Sequence, residues 1–181
     1  SDFGFIEPSS TADLMGIGAG FMVWVGEGLG TPLTLTIDLT DSLVSGQQIV
    51  TVTYTDGPEN NTEDGWNLIA NPYPSDILWQ TVTLSAEVTP IAYVYNPTDK
   101  VYESFDQTTT TTIPSHQGFW VKVDSLVSEI DHIGTVTFEE TDKAAYVDNF
   151  YKAASTNEIG MTLSGYGAYN SSRVRFNSNA S

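Results

Sequence analysis

Stretches in which apolar and polar residues alternate, set between Gly, Pro and Asp punctuation, constrain this chain more than anything else in it. Gly20-Phe21-Met22-Val23-Trp24-Val25, Leu33-Thr34-Leu35-Thr36-Ile37-Asp38-Leu39 and Gln48-Ile49-Val50-Thr51-Val52-Thr53-Tyr54 alternate or run as β-branched and aromatic residues. The same pattern covers Trp66–Ile69, Ile91–Tyr95, Val101–Phe105, Gly118–Val123, Gly134–Phe138, Ile159–Leu163 and Arg173–Phe176. Successive side chains of a strand point to opposite faces, so a period of two predicts a half-buried strand. Helical patterning is weak, and only Thr141–Tyr151 offers a short turn or two, with Asp142-Lys143-Ala144-Ala145 as its start. Strands at short spacing without helical crossovers predict an all-β fold, an antiparallel, jelly-roll-like β-sandwich.

The order of these segments repeats. Gly20-Phe21-Met22-Val23-Trp24-Val25 answers Gly118-Phe119-Trp120-Val121-Lys122-Val123; Asp41-Ser42-Leu43-Val44-Ser45 recurs as Asp124-Ser125-Leu126-Val127-Ser128. Ile49-Val50-Thr51-Val52-Thr53-Tyr54 matches Ile133-Gly134-Thr135-Val136-Thr137-Phe138. Several elements in one order predict two similar β units: a first unit over 1–56, a second over 65–140, and C-terminal strands over 141–181 that complete the sandwich. One element breaks the symmetry, because nothing before Phe3 corresponds to residues 65–74. The first unit is therefore expected to lack its opening strand. Another copy or another segment should supply it by main-chain pairing beside Phe3–Ile6 or Gly20–Val25.

Composition narrows the partners. Six Lys and Arg against 23 Asp and Glu give a net charge of −17, and residues 1–99 contain no base at all. Phosphate backbones and anionic lipid both need a basic face, so neither nucleic acid nor a membrane surface is an expected partner. Cysteine is absent, which removes disulfides, thiol nucleophiles and Cys-ligated metal sites. No apolar run reaches the length of a membrane-spanning helix.

Gly65-Trp66-Asn67-Leu68-Ile69-Ala70-Asn71-Pro72-Tyr73-Pro74, followed by Ala92-Tyr93-Val94-Tyr95-Asn96-Pro97, Ile113-Pro114-Ser115-His116-Gln117-Gly118-Phe119-Trp120-Val121-Lys122 and Val136-Thr137-Phe138, resembles the β-rich region of large secreted surface proteins of Bacteroidota. There it lies upstream of the C-terminal sorting domain read by the type IX secretion system. Where that region commonly has Gly before Asn71, this chain has Ala70. The resemblance implies an extracellular, cell-surface setting and display or adhesion, not a reaction. In the same setting Asp41-Ser42-Leu43 and Asp124-Ser125-Leu126 resemble the Asp-Ser/Thr-hydrophobic acceptor triplet for O-glycosylation. This marks Ser42 and Ser125 as acceptor candidates, alongside the plain reading of Asp-Ser as turn chemistry.

Residue chemistry adds two further candidates. Asp56, Glu59, Glu63 and Asp64 crowd one nine-residue loop, an oxygen-rich set that suits calcium but lacks EF-hand spacing; a solvated hairpin connection is the competing reading. Of Trp24, Trp66, Trp79 and Trp120, Trp79 lies in the irregular Pro74–Trp79 stretch and is expected to be the exposed ring, with Tyr73 beside it as a sugar-stacking platform. The other three are expected in the core. His116 and His132 sit in no nucleophile motif and read as loop residues. The chain is thus expected to be a non-enzymatic secreted structural or adhesion module that needs no cofactor and self-assembles by strand addition. Its partners would be copies of itself, the rest of a larger surface protein, or glycans. The alternative is a carbohydrate-binding module using exposed aromatics.

Overall fold

The computed structural model describes residues 9–10, 13–22, 43–55, 64–96, 98–124, 133–144, 158–165 and 168–175, the last two stretches as backbone. Within them are β1 (Gln48–Thr53), β2 (Trp66–Ala70), β3 (Ile77–Leu78), β4 (Thr83–Leu84), β5 (Ile91–Asn96), β6 (Val101–Asp106), β7 (Thr112–Ile113), β8 (Gly118–Lys122), β9 (Ile133–Phe138), β10 (Glu158–Gly165) and β11 (Ala168–Arg175). Every pairing is antiparallel. The sheets run β1-β9-β4, β2-β8-β5-β6, β3-β7 and β10-β11. Two single 3-10 turns, Trp79–Thr81 and Glu140–Asp142, are the only helical elements among the described residues. The chain is therefore all-β and antiparallel, as the alternation predicts.

Alternation becomes burial directly. Val50 and Val52 of β1 point inward while Ile49, Thr51 and Thr53 are exposed, and Gly134, Val136 and Phe138 of β9 complete that inner face. In the four-stranded sheet Ile69, Phe119, Val121, Ala92 and Val94 face inward, and one core cluster takes side chains from both sheets. Gly134 stands where the matching segment has Val50, for a steric reason: a Cβ there would lie 2.6 Å from Val88 Cγ2.

The two matching segments, Ile49–Tyr54 and Ile133–Phe138, turn out to be neighbours. They pair with each other about Thr51↔Thr135, with Val50 opposite Val136 and Ile49 opposite Thr137. The block without an upstream counterpart is also placed: β2 lies between β8 and the segment 18–20. Ala70 N donates to Gly18 O (2.9 Å) and Gly20 N donates to Leu68 O (3.2 Å). One flank of that first-unit segment is thus paired within the chain. Phe3–Ile6, Trp24 and Leu33–Leu39 lie outside the described residues.

Of the stretch from Thr141 that offers a short helical turn or two, residues 141–144 are described, and they hold only the end of the 3-10 turn Glu140–Asp142. Glu139 and Asp142 cap the 3-10 turn reciprocally, and Lys143 then turns extended (φ −62°, ψ 128°). It bridges to Ile77, and Ala144 N donates to Asp76 O at 2.8 Å. Strand pairing with the Asp76–Ile77 backbone overrides the weak helical propensity.

Candidate functional site

Strands β2, β8, β5 and β6 place a second set of side chains on the face opposite the core. Cross-strand register puts Leu68 beside Trp120, Trp120 beside Tyr93, Trp66 beside Lys122 and Tyr95 beside Tyr102. Trp66, Tyr93 and Trp120 are half-buried, whereas Tyr95 and Tyr102 are 43% and 51% exposed. The Trp66 and Tyr93 rings meet edge to face with centroids 5.0 Å apart and planes at 77°. Tyr95 and Tyr102 do the same at 5.3 Å and 60°, the geometry that ring quadrupoles favour. Lys122 Nζ stands 5.4 Å above the Trp66 ring, a cation–π contact.

On the other sheet the outward positions are chiefly threonines, with Thr51 opposite Thr135 and Thr83 opposite Thr137, joined by the aliphatic Ile49 and Ile133 and, among the described residues, by no aromatic ring. Solvated faces of antiparallel sheets are ordinarily polar in this way. The ring-bearing face departs from that rule, and exposed apolar patches of this kind mark interaction sites.

The stacking pair expected from sequence is corrected by burial. Trp79 and Tyr73 are both 0% exposed, so neither offers a ring face to a sugar. Trp79 packs edge to face on Phe119 (5.6 Å, 73°) and its Nε1 donates to Pro90 O at 3.3 Å. Gln107 Nε2 donates to the carbonyls of Trp79 and Val82 at 3.0 and 2.7 Å, closing the irregular stretch over the ring. Trp66 and Trp120, expected in the core, lie on the outward face instead. Adjacent strand residues have opposite parity, so the sequence already requires one of Phe119 and Trp120 to face away from the core, and Trp120 is the one that does.

The Asn71-Pro72-Tyr73-Pro74 block is an internal knot. Asn71, 1% exposed, donates from Nδ2 toward the carbonyls of Ser75 (2.8 Å), Ile113 (3.1 Å) and Pro114 (3.0 Å), while its Oδ1 accepts from Tyr73 N at 3.0 Å. The Tyr73 hydroxyl lies 2.7 Å from Gly46 O and 2.9 Å from Phe138 O, and its one proton donates to one of them. Burial, and then the negative charges of Glu140, Asp142 and Glu139, push its pKa up to about 12. Lys143 Nζ stands 4.3 Å over the same ring and donates to Glu140 Oε2. That hydrogen bond, followed by one from Gly46 N, holds the Glu140 carboxyl below its usual range. The group ties the start of β1 to the end of β9, so its chemistry is structural.

Of the proposed calcium ligands, Asp56, Glu59 and Glu63 lie outside the described residues; Asp64 is buried (7% exposed), against the expectation of an exposed loop there. Val123 N donates to Gly65 O at 2.8 Å and holds that end of the loop to the end of β8. Gly65 has φ 79° and a Cβ there would meet Val123 O at 2.3 Å, so glycine is required at this turn. Among the described residues no group of three His, Asp or Glu is arranged to hold a metal ion. Ser42, Ser125 and His132 lie outside the described residues. His116 occupies a turn closed by Gln117 N donating to Pro114 O (3.1 Å), with φ 57°. The residue is exposed, and partial desolvation of its ring lowers its pKa.

Fold and site together define an all-β antiparallel protein with one aromatic sheet face. Compared with known proteins, the chain matches no family model, no curated protein and no solved structure.

Proposed function

We propose that this chain is a non-enzymatic adhesion module of a secreted cell-surface protein. In this reading it is a jelly-roll-like β-sandwich built from two similar units, and it adheres through the outward aromatic face of the β2-β8-β5-β6 sheet. The shared core cluster supports the sandwich, and the pairing of the matching strands about Thr51↔Thr135 supports the two units. The observation that carries the function is the contrast between faces: threonines with the aliphatic Ile49 and Ile133 outward on one sheet, and the aromatic cluster Trp66, Tyr93, Tyr95, Tyr102 and Trp120 outward on the other. The secreted setting and type IX export rest on the residue resemblance at 65–74 and 113–122. Adsorption of the purified chain to bacterial cells, protein-coated beads and polysaccharide beads tests the function. The doubly substituted Tyr102→Ala/Trp120→Ala chain should lose adsorption wherever the unsubstituted chain shows it; undiminished adsorption of the substituted chain would refute the assignment.

A second reading, self-assembly by strand addition, is favoured by a separate observation. Segment 18–20 is paired to β2 on one side, and around it Leu14 (97%), Met15 (54%), Ile17 (59%), Phe21 (48%) and Met22 (62%) are exposed. Sedimentation velocity over a wide concentration range tests it: growth of heavy species that Phe21→Ser suppresses supports assembly, and a single concentration-independent species rejects it.

A further inference from the structure

We infer that the aromatic face takes a neutral polysaccharide, laid across the strands from Trp66 toward Tyr102; this inference rests on the adhesion reading above. Trp66, Trp120, Tyr93 and Tyr102 stand on four consecutive strands of the sheet order β2-β8-β5-β6. Three inter-strand steps span on the order of 14 Å, the length of a short oligosaccharide rather than a single sugar.

Three features select this ligand class. The negative face of an aromatic ring attracts the polarised C–H groups on the flat side of a pyranose, and the face bears rings in place of the continuous aliphatic surface that a protein helix would need. Tyr93, Tyr95 and Tyr102 bring hydroxyls to the same face, each a donor and an acceptor able to pair with sugar hydroxyls. The steep angles within the ring pairs, 77° for Trp66 with Tyr93 and 60° for Tyr95 with Tyr102, make a stepped surface suited to a twisted chain rather than a flat sheet of stacked bases. Charge then removes the anionic polysaccharides: the protein carries −17, and Lys122, engaged over Trp66, is the only Lys or Arg on these four strands. Sulfated glycans, like nucleic acids, are repelled at long range.

The test is affinity electrophoresis of the intact chain in gels cast with a neutral β-glucan, xylan, mannan or soluble chitin derivative, with a sulfated polysaccharide gel in parallel. Retardation is expected in at least one neutral gel and not in the sulfated gel. Tyr102→Ala, at an exposed position where folding is not at risk, and Trp120→Phe should each weaken binding by roughly tenfold or more if truncated rings behave as binding hot spots. Ile49→Ser, on the other sheet, should bind unchanged. Failure of every neutral polysaccharide, stronger binding to the sulfated one, or full binding by Tyr102→Ala and Trp120→Phe overturns the inference. Adsorption to protein-coated beads that these substitutions abolish, without any retardation, would leave the adhesion reading standing and remove the polysaccharide alone.

Discussion

Replacing Tyr73 by Phe removes one oxygen atom from the interior and tests whether the Asn-Pro-Tyr-Pro knot holds the start of β1 to the end of β9. The hydroxyl sits within hydrogen-bond distance of Gly46 O and Phe138 O. The Gly46 carbonyl has a second contact, from Gln48 Nε2 at 3.3 Å. Leaving a buried acceptor without its donor costs about 1–3 kcal/mol, so Tyr73→Phe should lower the unfolding free energy by about that amount at pH 8. The ring itself stays, and with it the packing and the Lys143 contact, so the denaturant slope should not change. The pH dependence gives an independent check. The folded protein holds the Tyr73 proton up to about pH 12, against 10.0 for an unperturbed tyrosine. A raised acid pKa means that the neutral form is favoured in the fold. The associated stability is complete below pH 10 and is lost as pH rises from 10 toward 12. Urea titrations of both proteins at pH 8, 10 and 11.5 should therefore show the gap between them narrowing in the alkaline range. A gap that is absent at pH 8, or that stays constant through pH 11.5, would show that the hydroxyl is not held as described.

Other substitutions probe separate parts of the account. Asn71→Ala removes an amide whose two N–H protons are shared among three backbone carbonyls and whose oxygen accepts from Tyr73 N, and should cost more than Tyr73→Phe, about 3 kcal/mol or above, measured by the same urea titration. Gly134→Ala forces a Cβ to within 2.6 Å of Val88 Cγ2 and should destabilise by about 1–3 kcal/mol, whereas Gly46→Ala, with open space around it but φ 73°, should lose only about 1 kcal/mol. Because the His116 pKa is lowered in the fold, its contribution is complete above the unfolded value of about 6.5 and is lost as pH falls from there through the lower folded pKa. Thermal melts at pH 7.5 and 5.5 should differ less for His116→Gln than for the unsubstituted chain. Intact mass of the protein from its native source should exceed the polypeptide mass if Ser42 and Ser125 carry glycans.

Long alternating segments were legible from sequence, because a face buried against a core imposes a period of two. β1, β2, β5, β6, β8 and β9 fall where the alternation places them, and the opposed parity of Phe119 and Trp120 carries through to one ring inward and one outward. The two-residue strands β3, β4 and β7 have no period to read; distant partners such as Ile113 and Val136 create them. Trp79 was misplaced for the same reason. Its burial depends on Phe119, Pro90 and Gln107, none of which is near it in sequence, and an irregular stretch gives no local sign that it closes over a ring. Likeness between Ile49–Tyr54 and Ile133–Phe138 was visible too. Their becoming hydrogen-bonded neighbours was not, since similarity carries no information on which strand lies beside which.

The indole N–H resonances of the four tryptophans test the central claim, that the outward rings are the binding face. In an 15N-labelled sample titrated with an oligosaccharide of whichever neutral polysaccharide retards the chain, the Trp66 and Trp120 signals should move in step with binding. The Trp79 signal, from a ring that is 0% exposed and bonded to Pro90 O, should stay fixed. Shifts at Trp79 with Trp66 and Trp120 unmoved would place the ligand elsewhere and contradict the account.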